Sequence, residues 1–465
     1  MKMSKNVVIV GAGVAGINAA TKLVDNDYDG QITIIDMGKN PYDRLPEEVM
    51  TGMLGAGGWS DGKLTYHTSI GGHLSKYTGE EKAMELMDQV INNFKRFHPK
   101  PEEVQCSNPV AEPDFIKPYF GLRLFPVWHV GTDYLHEIGK NWYNYLVEKG
   151  VNFIWETKVH AIDFENCRVL GKSLVEDLHY ERRYDNLIFA VGKSGIDFGK
   201  ALAEEYNLPT ESKPVQIGVR FEAPQKHFQK LIDVSYDFKL YRKFEDKGVS
   251  LRSFCTNNNA AYVAVEQTYG DVSYNGHAKK DEAYRNDMTN FGILMEIRGI
   301  EKPFDWSREL VKKVNETWFD SSKGQGRHAR KTHTGLYYSP SRKQGMTSEG
   351  DMVDAMPIKS LDRVKDAFQG YYSYIEDFIN DMKKVFPSLK DDWGIYVPEV
   401  KYLSPEPLVN YNDLSLTTYP NVHFVGDALS ARGITVSGAQ GTLVAEQLLN
   451  EPIVLSKKQL IEEMN

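Results

Sequence analysis

Residues 7–10, Val-Val-Ile-Val, are four consecutive apolar positions with no polar alternation. Such a run reads as a strand buried on both faces, as in a parallel sheet. Gly11-Ala12-Gly13-Val14-Ala15-Gly16 follows and predicts a tight turn into a helix over about 17–25. Runs of the same buried type recur at 31–35, 152–155, 186–192 and 422–426. Elsewhere the period changes. Met84, Met87, Ile91 and Phe94 stand at helical spacing and predict an amphipathic helix over 79–96, with another over 132–149. Prolines at 99, 101, 109, 113, 118 and 126 mark an irregular connection between these two helices. A hairpin is expected around 167–181. Strand-like runs at 215–221, 250–255, 261–265 and 291–297 precede helical patterns at 307–319 and 370–385. The pattern predicts an α/β fold with a second, α+β region inserted between about 211 and 395.

The first turn carries recognisable chemistry. Gly11 permits the sharp exit from the strand, Gly13 lets backbone approach a pyrophosphate, and Gly16 lets the helix pack closely on the sheet. The helix start offers free N–H groups and a positive dipole end to phosphates. Asp36, followed by Met37, ends the second strand and places a carboxylate where this motif bonds a ribose hydroxyl. A lone glycine turn is weak evidence; the strand before it, the helix after it and the acid beyond it together point to a dinucleotide. They do not separate NAD from FAD. A second glycine-rich stretch runs from Met53 to Leu64. Its Gly57, Gly58, Ser60, Asp61, Gly62 and Lys63 are candidates to wrap a diphosphate with backbone N–H groups.

Toward the C-terminus, Val422-His-Phe-Val-Gly426 runs into Asp427-Ala428. The stretch Arg432-Gly433-Ile434-Thr435-Val436-Ser437-Gly438-Ala439-Gln440-Gly441 then opens an apolar helix. Further distinctive segments are Gly-Ala-Gly-Gly-Trp-Ser-Asp-Gly-Lys-Leu-Thr at 55–65, His-Val-Gly-Thr-Asp-Tyr-Leu at 129–135, Lys-Pro-Val-Gln-Ile-Gly-Val-Arg-Phe-Glu at 213–222 and Ser-Phe-Cys at 253–255. With these, the chain resembles the FAD-dependent dehydrogenases of the glutathione-reductase-like flavoprotein superfamily, in particular a largely uncharacterised bacterial group of NAD(P)/FAD-dependent oxidoreductases. The match is spread in order over most of the chain, and Ser-Asp-Gly-Lys-Leu is its most specific element.

The resemblance implies a Rossmann-type FAD-binding domain in two parts, 1–210 and 396–465, around a substrate or cap domain at 211–395. It implies non-covalent FAD. Asp427 would bond a ribitol hydroxyl, and Gly426, Gly433, Ile434 and Thr435 would present the second helix N-terminus to the pyrimidine edge of the flavin. Val159 would give backbone contact to adenine, and Ala190 and Gly192 would mark the exit from the FAD domain. It also implies redox catalysis, with hydride passing between flavin and a small organic substrate and NAD(P)H as a conceivable transient donor. Candidates for the reactive side are Lys63, Arg252, Cys255 and Asn258. The group usually follows Ser-Phe-Cys with Cys-Pro-Gly-Gly, whereas this chain has Thr256-Asn-Asn-Asn-Ala-Ala261. Asn258 is therefore a candidate for polar substrate contact, and no relative's substrate carries over.

Composition narrows the alternatives. A hydrophobic share of 41% with 26% charged residues suits a water-soluble enzyme, and no apolar run reaches a membrane-spanning length. Three widely spaced cysteines, Cys106, Cys167 and Cys255, offer no disulfide relay or metal spacing, and a cytoplasmic location is expected. Neither those cysteines nor the 12 histidines make a recognisable metal site, and none is expected. A net charge of −9 argues against nucleic-acid binding by the whole protein. The segment 326–343 runs the other way, with Arg327, His328, Arg330, Lys331, His333, Arg342 and Lys343. It reads either as a solvated basic loop or as a gate for an anionic substrate or nucleic acid. The alternatives left open are a flavin monooxygenase or halogenase, a flavoenzyme acting on a nucleotide or nucleic acid, and a cofactor-free escort protein. Oligomeric state is not legible.

Overall fold

The structure is a computed structural model that describes residues 5–45, 48–244, 247–268, 270–321, 336–346, 352–403 and 405–450. Strand β1 (Val7–Val10) is entirely buried and pairs in parallel with β2 (Ile32–Ile35) on one side and Asn186–Phe189 on the other. Asn152–Ile154 extends the sheet beyond β2, and Val422–Phe424 extends it beyond Asn186–Phe189, giving five parallel strands. Helix α1 (Val14–Asp25) crosses over from β1. The last helix, Ile434–Asn450, packs backbone to backbone against α1: a Cβ on Gly441 would sit 2.0 Å from the Ala15 carbonyl oxygen. Small residues at that crossing are the reason the two helices can approach so closely. This is the Rossmann-type α/β arrangement that the buried apolar runs predict.

The second sheet is antiparallel and has seven strands, in the order 336–338, 394–401, 215–224, 288–297, 249–257, 239–244 and 121–123. It has its own core, in which Phe221, Phe291 and Ile293 pack beneath helices Ile358–Ala367 and Tyr372–Val385. The other core gathers β1, β2, α1 and the last helix. A hairpin of Ala261–Thr268 and Asp271–Ala278 lies against the strand Gly394–Lys401. Gly276 lets it do so, because a Cβ there would lie 1.6 Å from the Arg220 guanidinium.

Two placements differ from the linear reading. Gly121–Arg123, in the proline-rich connection, pairs with Lys239–Phe244 and so belongs to the antiparallel sheet. Gly394–Lys401 also belongs to that sheet, running past residue 395. Gly121–Arg123 is a three-residue edge, and Gly394–Lys401 is a buried inner strand; the partners of both lie far away in sequence, so local periodicity does not say which sheet either joins. The expected strand at 250–255 is longer, Val249–Asn257, and is interrupted by a bulge between Phe254 and Asn257.

Candidate active site

A cavity of about 360 Å³ lies between the two sheets. Its first wall is backbone. Gly11 takes a φ of +111°, and a Cβ there would sit 2.2 Å from the Ala190 carbonyl oxygen; one on Gly16 would sit 2.2 Å from the Gly11 carbonyl oxygen. Both glycines are fixed by the protein's own packing. Gly13 is different: its Cβ would meet no protein atom nearer than 3.9 Å, and it faces the cavity with Val14 and Ala15. No side chain among the described residues caps α1, so its first N–H groups are left for a ligand. Gly57 and Ser60 border the same space. Their loop is held by Arg44, which is 6% exposed and donates to the carbonyls of Val49, Met53 and Gly55. Burial lowers the Arg44 pKa to about 10, against the pull of Asp36 and Glu48. Asp36 and Met37 border the cavity too. The Asp36 carboxylate accepts the N–H groups of Ala12, Gly38 and Gly52 at 2.7, 2.7 and 2.8 Å.

Val159, Ala190 and Gly192 continue this wall, and Gly426, Asp427, Gly433 and Ile434 close its far end. Here Nε and Nη2 of Arg432, which borders the cavity, lack partners; Thr435 Oγ1 and Ser430 Oγ also lack them, but neither residue borders the cavity. Asp427 Oδ1 lies 2.9 Å from Arg432 Nη1, an ion pair without hydrogen-bond alignment. Native structures rarely leave such groups unsatisfied. A polar ligand at this end would satisfy those of Arg432. Free helix N–H groups at Gly13 and this unsatisfied cluster across the same cavity fit a dinucleotide with a polar group at each end.

Lys63 is placed elsewhere. It does not border the cavity; it is 5% exposed and sits between the two sheets. Its Nζ donates to the Thr256 carbonyl at 2.6 Å and lies 3.0 Å from Asp61 and 3.6 Å from Asp237. Burial disfavours the charge, but Asp237 and Asp61 outweigh it and hold the Lys63 pKa above its ordinary value. The Ser-Asp-Gly-Lys segment therefore acts as a junction more than as a phosphate loop. Gly62 fits against the Gly131 backbone, and the Asp61 carbonyl accepts from His129 Nε2 at 2.9 Å. Burial lowers His129 to about 4, so that ring is a neutral structural donor. Gly58 is filled in by Arg44 and Met53, and Gly16 by Gly11, so neither reaches the cavity.

The second wall belongs to the antiparallel sheet. Cys255 borders the cavity from the bulge, in a left-handed conformation with φ +45° that non-glycine residues rarely adopt. Its flanks are clamped. Arg220 donates to the Cys255 carbonyl at 2.8 Å, Asp237 accepts the Thr256 N–H at 3.1 Å, and Lys63 holds the Thr256 carbonyl. Asn258 does not reach the cavity. It is 1% exposed, its Nδ2 donates to the Tyr236 carbonyl at 2.6 Å, and its Oδ1 accepts from Thr289 at 2.5 Å. The bulge turns the chain inward after Cys255, which draws Asn257 and Asn258 into the sheet and leaves Asn259 exposed. Arg252 lies behind the wall against Phe254.

Residues the linear reading missed complete this wall: Lys193, Glu266, Asn275, His277, Glu399 and Lys401. Glu266 accepts from Lys193 at 2.7 Å and from Asn275 at 2.9 Å. Burial opposes its charge, yet Lys193 holds its pKa at about 2. Glu399 faces Arg220 at 3.3 Å, and burial raises its pKa against that pull. The one available signal was Glu399 and Lys401, two charges at alternate positions in an otherwise apolar strand. In the basic segment, Arg342 is neutralised by Asp392 at 2.9 Å and Glu222 at 3.5 Å, while Arg327, His328, Arg330, Lys331 and His333 lie outside the described residues. Among the described residues, no helix is long and apolar enough to cross a membrane, and no group of three His, Cys, Asp or Glu side chains is placed to hold a metal ion.

Residues 5–208 match the family described as Pyridine nucleotide-disulphide oxidoreductase. No curated protein sequence matches the chain. Among solved structures, the chain is similar to a flavoprotein/dehydrogenase from Cytophaga hutchinsonii, with 13% identity, a TM-score of 0.43, and coverage of 99% of this chain and 82% of that one. It is similar to the L-proline dehydrogenase from P.horikoshii, with 12% identity, a TM-score of 0.40, and coverage of 97% and 94%. It is also similar to halogenase PltM, with 11% identity, a TM-score of 0.42, and coverage of 96% and 69%. The family match over 5–208, set on a parallel sheet whose glycine turn and C-terminal helix start face one cavity, makes the chain an FAD-dependent oxidoreductase.

Proposed function

We propose that the chain passes hydride between FAD and a small organic substrate bound against the antiparallel sheet. What supports this is a cavity lined by glycine backbone on one side and by charged side chains on the other. Bound there, FAD would supply two-electron redox chemistry. Gly13 and the start of α1 would receive the pyrophosphate, and Asp36 and Met37 the adenosine side. Asp427, Arg432 and Gly433 would take the polar flavin end, where the helix N-terminus stabilises developing negative charge. Lys63, Asp237 and Arg220 are positioning residues: they fix the bulge from which Cys255 meets the cavity. The likeness to the bacterial FAD-dependent dehydrogenase group, the division at 210 and 395, and a small-molecule partner in the cytoplasm belong to this same proposal.

The test begins with the purified protein. It should be yellow and release FAD, not FMN, on heating, as identified by mass spectrometry. Anaerobic bleaching of the flavin by a small organic donor supports the dehydrogenase reading. Turnover only with NAD(P)H and oxygen together would overturn it in favour of a monooxygenase.

A further inference from the structure

The antiparallel wall holds two cations that share one ring and have no hydrogen-bonded or ion-paired acceptor among the described residues. Lys401 Nζ stands 3.6 Å from the centroid of the Phe254 ring, and the Arg252 guanidinium carbon stands 4.5 Å from the same centroid. Phe254 itself is 9% exposed. Neither cation makes a side-chain hydrogen bond or an ion pair with a described residue. Burial lowers both, Lys401 to about 8: the pull of Cys255 and Glu399 on Lys401, opposed by Arg252 and Lys239, does not restore it, nor does the pull of Glu296 restore Arg252, opposed by Arg123.

The carboxylates nearby are already committed. Glu399 faces Arg220, with both oxygens 3.3 Å from Nη1. Glu266 is held by Lys193 and Asn275. Asp237 serves Lys239, Lys63 and the Thr256 N–H. Glu296 pairs with Arg298 at 3.2 Å. A desolvated cation without a partner is unfavourable, and a second like charge on the same ring adds to the cost. A ring face compensates a cation only in part. Such an arrangement becomes favourable when an anion enters beside it. Lys401 borders the cavity next to Cys255, so the place left for that anion is in the cavity, on the wall opposite the glycine turns.

We propose that this wall binds the carboxylate of the substrate, with Lys401 as its direct partner and Arg252 as a second charge behind Phe254. The substrate class is then a small organic acid. Lys401 offers one point charge and no guanidinium fork, which suits a monoanionic carboxylate better than a phosphate dianion. The phosphates of the cofactor have their own place at Gly13, across the cavity. The inference rests on the flavoenzyme reading for the identity of the second ligand, but the anion site itself does not.

The experiment titrates the FAD-loaded protein at pH 7 and constant ionic strength with sodium acetate and sodium benzoate, and with acetamide and benzamide as neutral counterparts. The readout is the shift of the visible flavin spectrum. The carboxylates should shift it and the amides should not. Lys401→Met should weaken benzoate by about tenfold or more at unchanged FAD content, with Lys401→Arg retaining most of the affinity. Should Lys401→Met not fold, Lys401→Gln carries the same comparison. Equal binding of amide and carboxylate, wild-type benzoate affinity in the Met or Gln variant, or displacement of benzoate by phosphate at lower concentration would each overturn the proposal. So would a fully FAD-loaded protein that no carboxylate perturbs. A protein that cannot be loaded with FAD overturns the flavoenzyme reading instead. In that case calorimetric titration of benzoate into cofactor-free wild type and Lys401→Met decides the anion site.

Discussion

The two walls of the cavity are made from different materials. The parallel-sheet wall is glycine and backbone N–H, and its shape depends on the absence of side chains. The antiparallel wall is Cys255, Glu266, Glu399 and Lys401, and its character depends on charges held in place by other charges. A backbone-built site leaves a compact signature, because only glycine fits and the glycines are close in sequence. A side-chain site assembled from separate strands leaves none. Of the two, the first suits a ligand with fixed geometry, and the second can change its substrate by exchanging a few residues.

The sharpest way to break this contrast is at Gly13. Gly13→Val should abolish FAD binding, measured as loss of the visible flavin band. The melting temperature of the cofactor-free protein should stay near wild type, because no protein atom lies within 3.9 Å of the new Cβ. Unchanged FAD content would remove the backbone wall from the binding site. Next in size is Lys63→Met, which leaves Asp61 without its cation, Asp237 with Lys239 alone and the Thr256 carbonyl without its donor at the junction of the two sheets. Denaturant unfolding should show a loss of about 3–5 kcal/mol, while the protein that remains folded keeps its FAD. A loss of FAD without loss of stability would return Lys63 to the phosphates.

Acid should act on the side-chain wall. The Glu266 pKa is depressed to about 2 by Lys193, from an ordinary value of 4.5. Its contribution is therefore complete above about 4.5 and is lost as pH falls toward 2, with a size on the order of 3 kcal/mol. The stability gap between wild type and Glu266→Gln, followed by urea unfolding from pH 6 to pH 3, should narrow as pH falls; a constant gap would contradict the ion pair. The smallest effect is at the far end of the cavity. Asp427→Ala should weaken FAD by about 1–3 kcal/mol, read by equilibrium dialysis. Wild-type affinity there would detach Asp427 from the cofactor.

The sequence was most legible where constraints are local. Gly11, Gly13 and Gly16 announce the turn, and Asp36 and Asp427 stand at strand ends that border the cavity, as the motifs require. Lys63 was misplaced because a glycine-rich neighbourhood suggests a phosphate loop, whereas its partners Thr256 and Asp237 lie far along the chain. Asn258 was misplaced for a related reason. A bulge at Cys255 reverses which residues face outward, and a bulge leaves no mark in the alternation of polar and apolar positions. Lys193, Glu266 and Lys401 come from three separate segments, and only the folded sheets bring them to one cavity.

The close crossing of α1 and the last helix bears on how the protein is made. The face of α1 that contains Ala15 is covered by residues around Gly441, and the parallel sheet gains its outer strand only at Val422–Phe424. On a ribosome, α1 emerges long before Gly441 and waits for it. At roughly 5–20 residues per second that interval is on the order of 20–80 s. The antiparallel sheet, whose strands from 215 to 297 are contiguous apart from its edges, can assemble within that interval. The helix that closes the cofactor cavity is thus synthesised after both sheets, and acquisition of colour by a nascent chain would report that translation has passed residue 441.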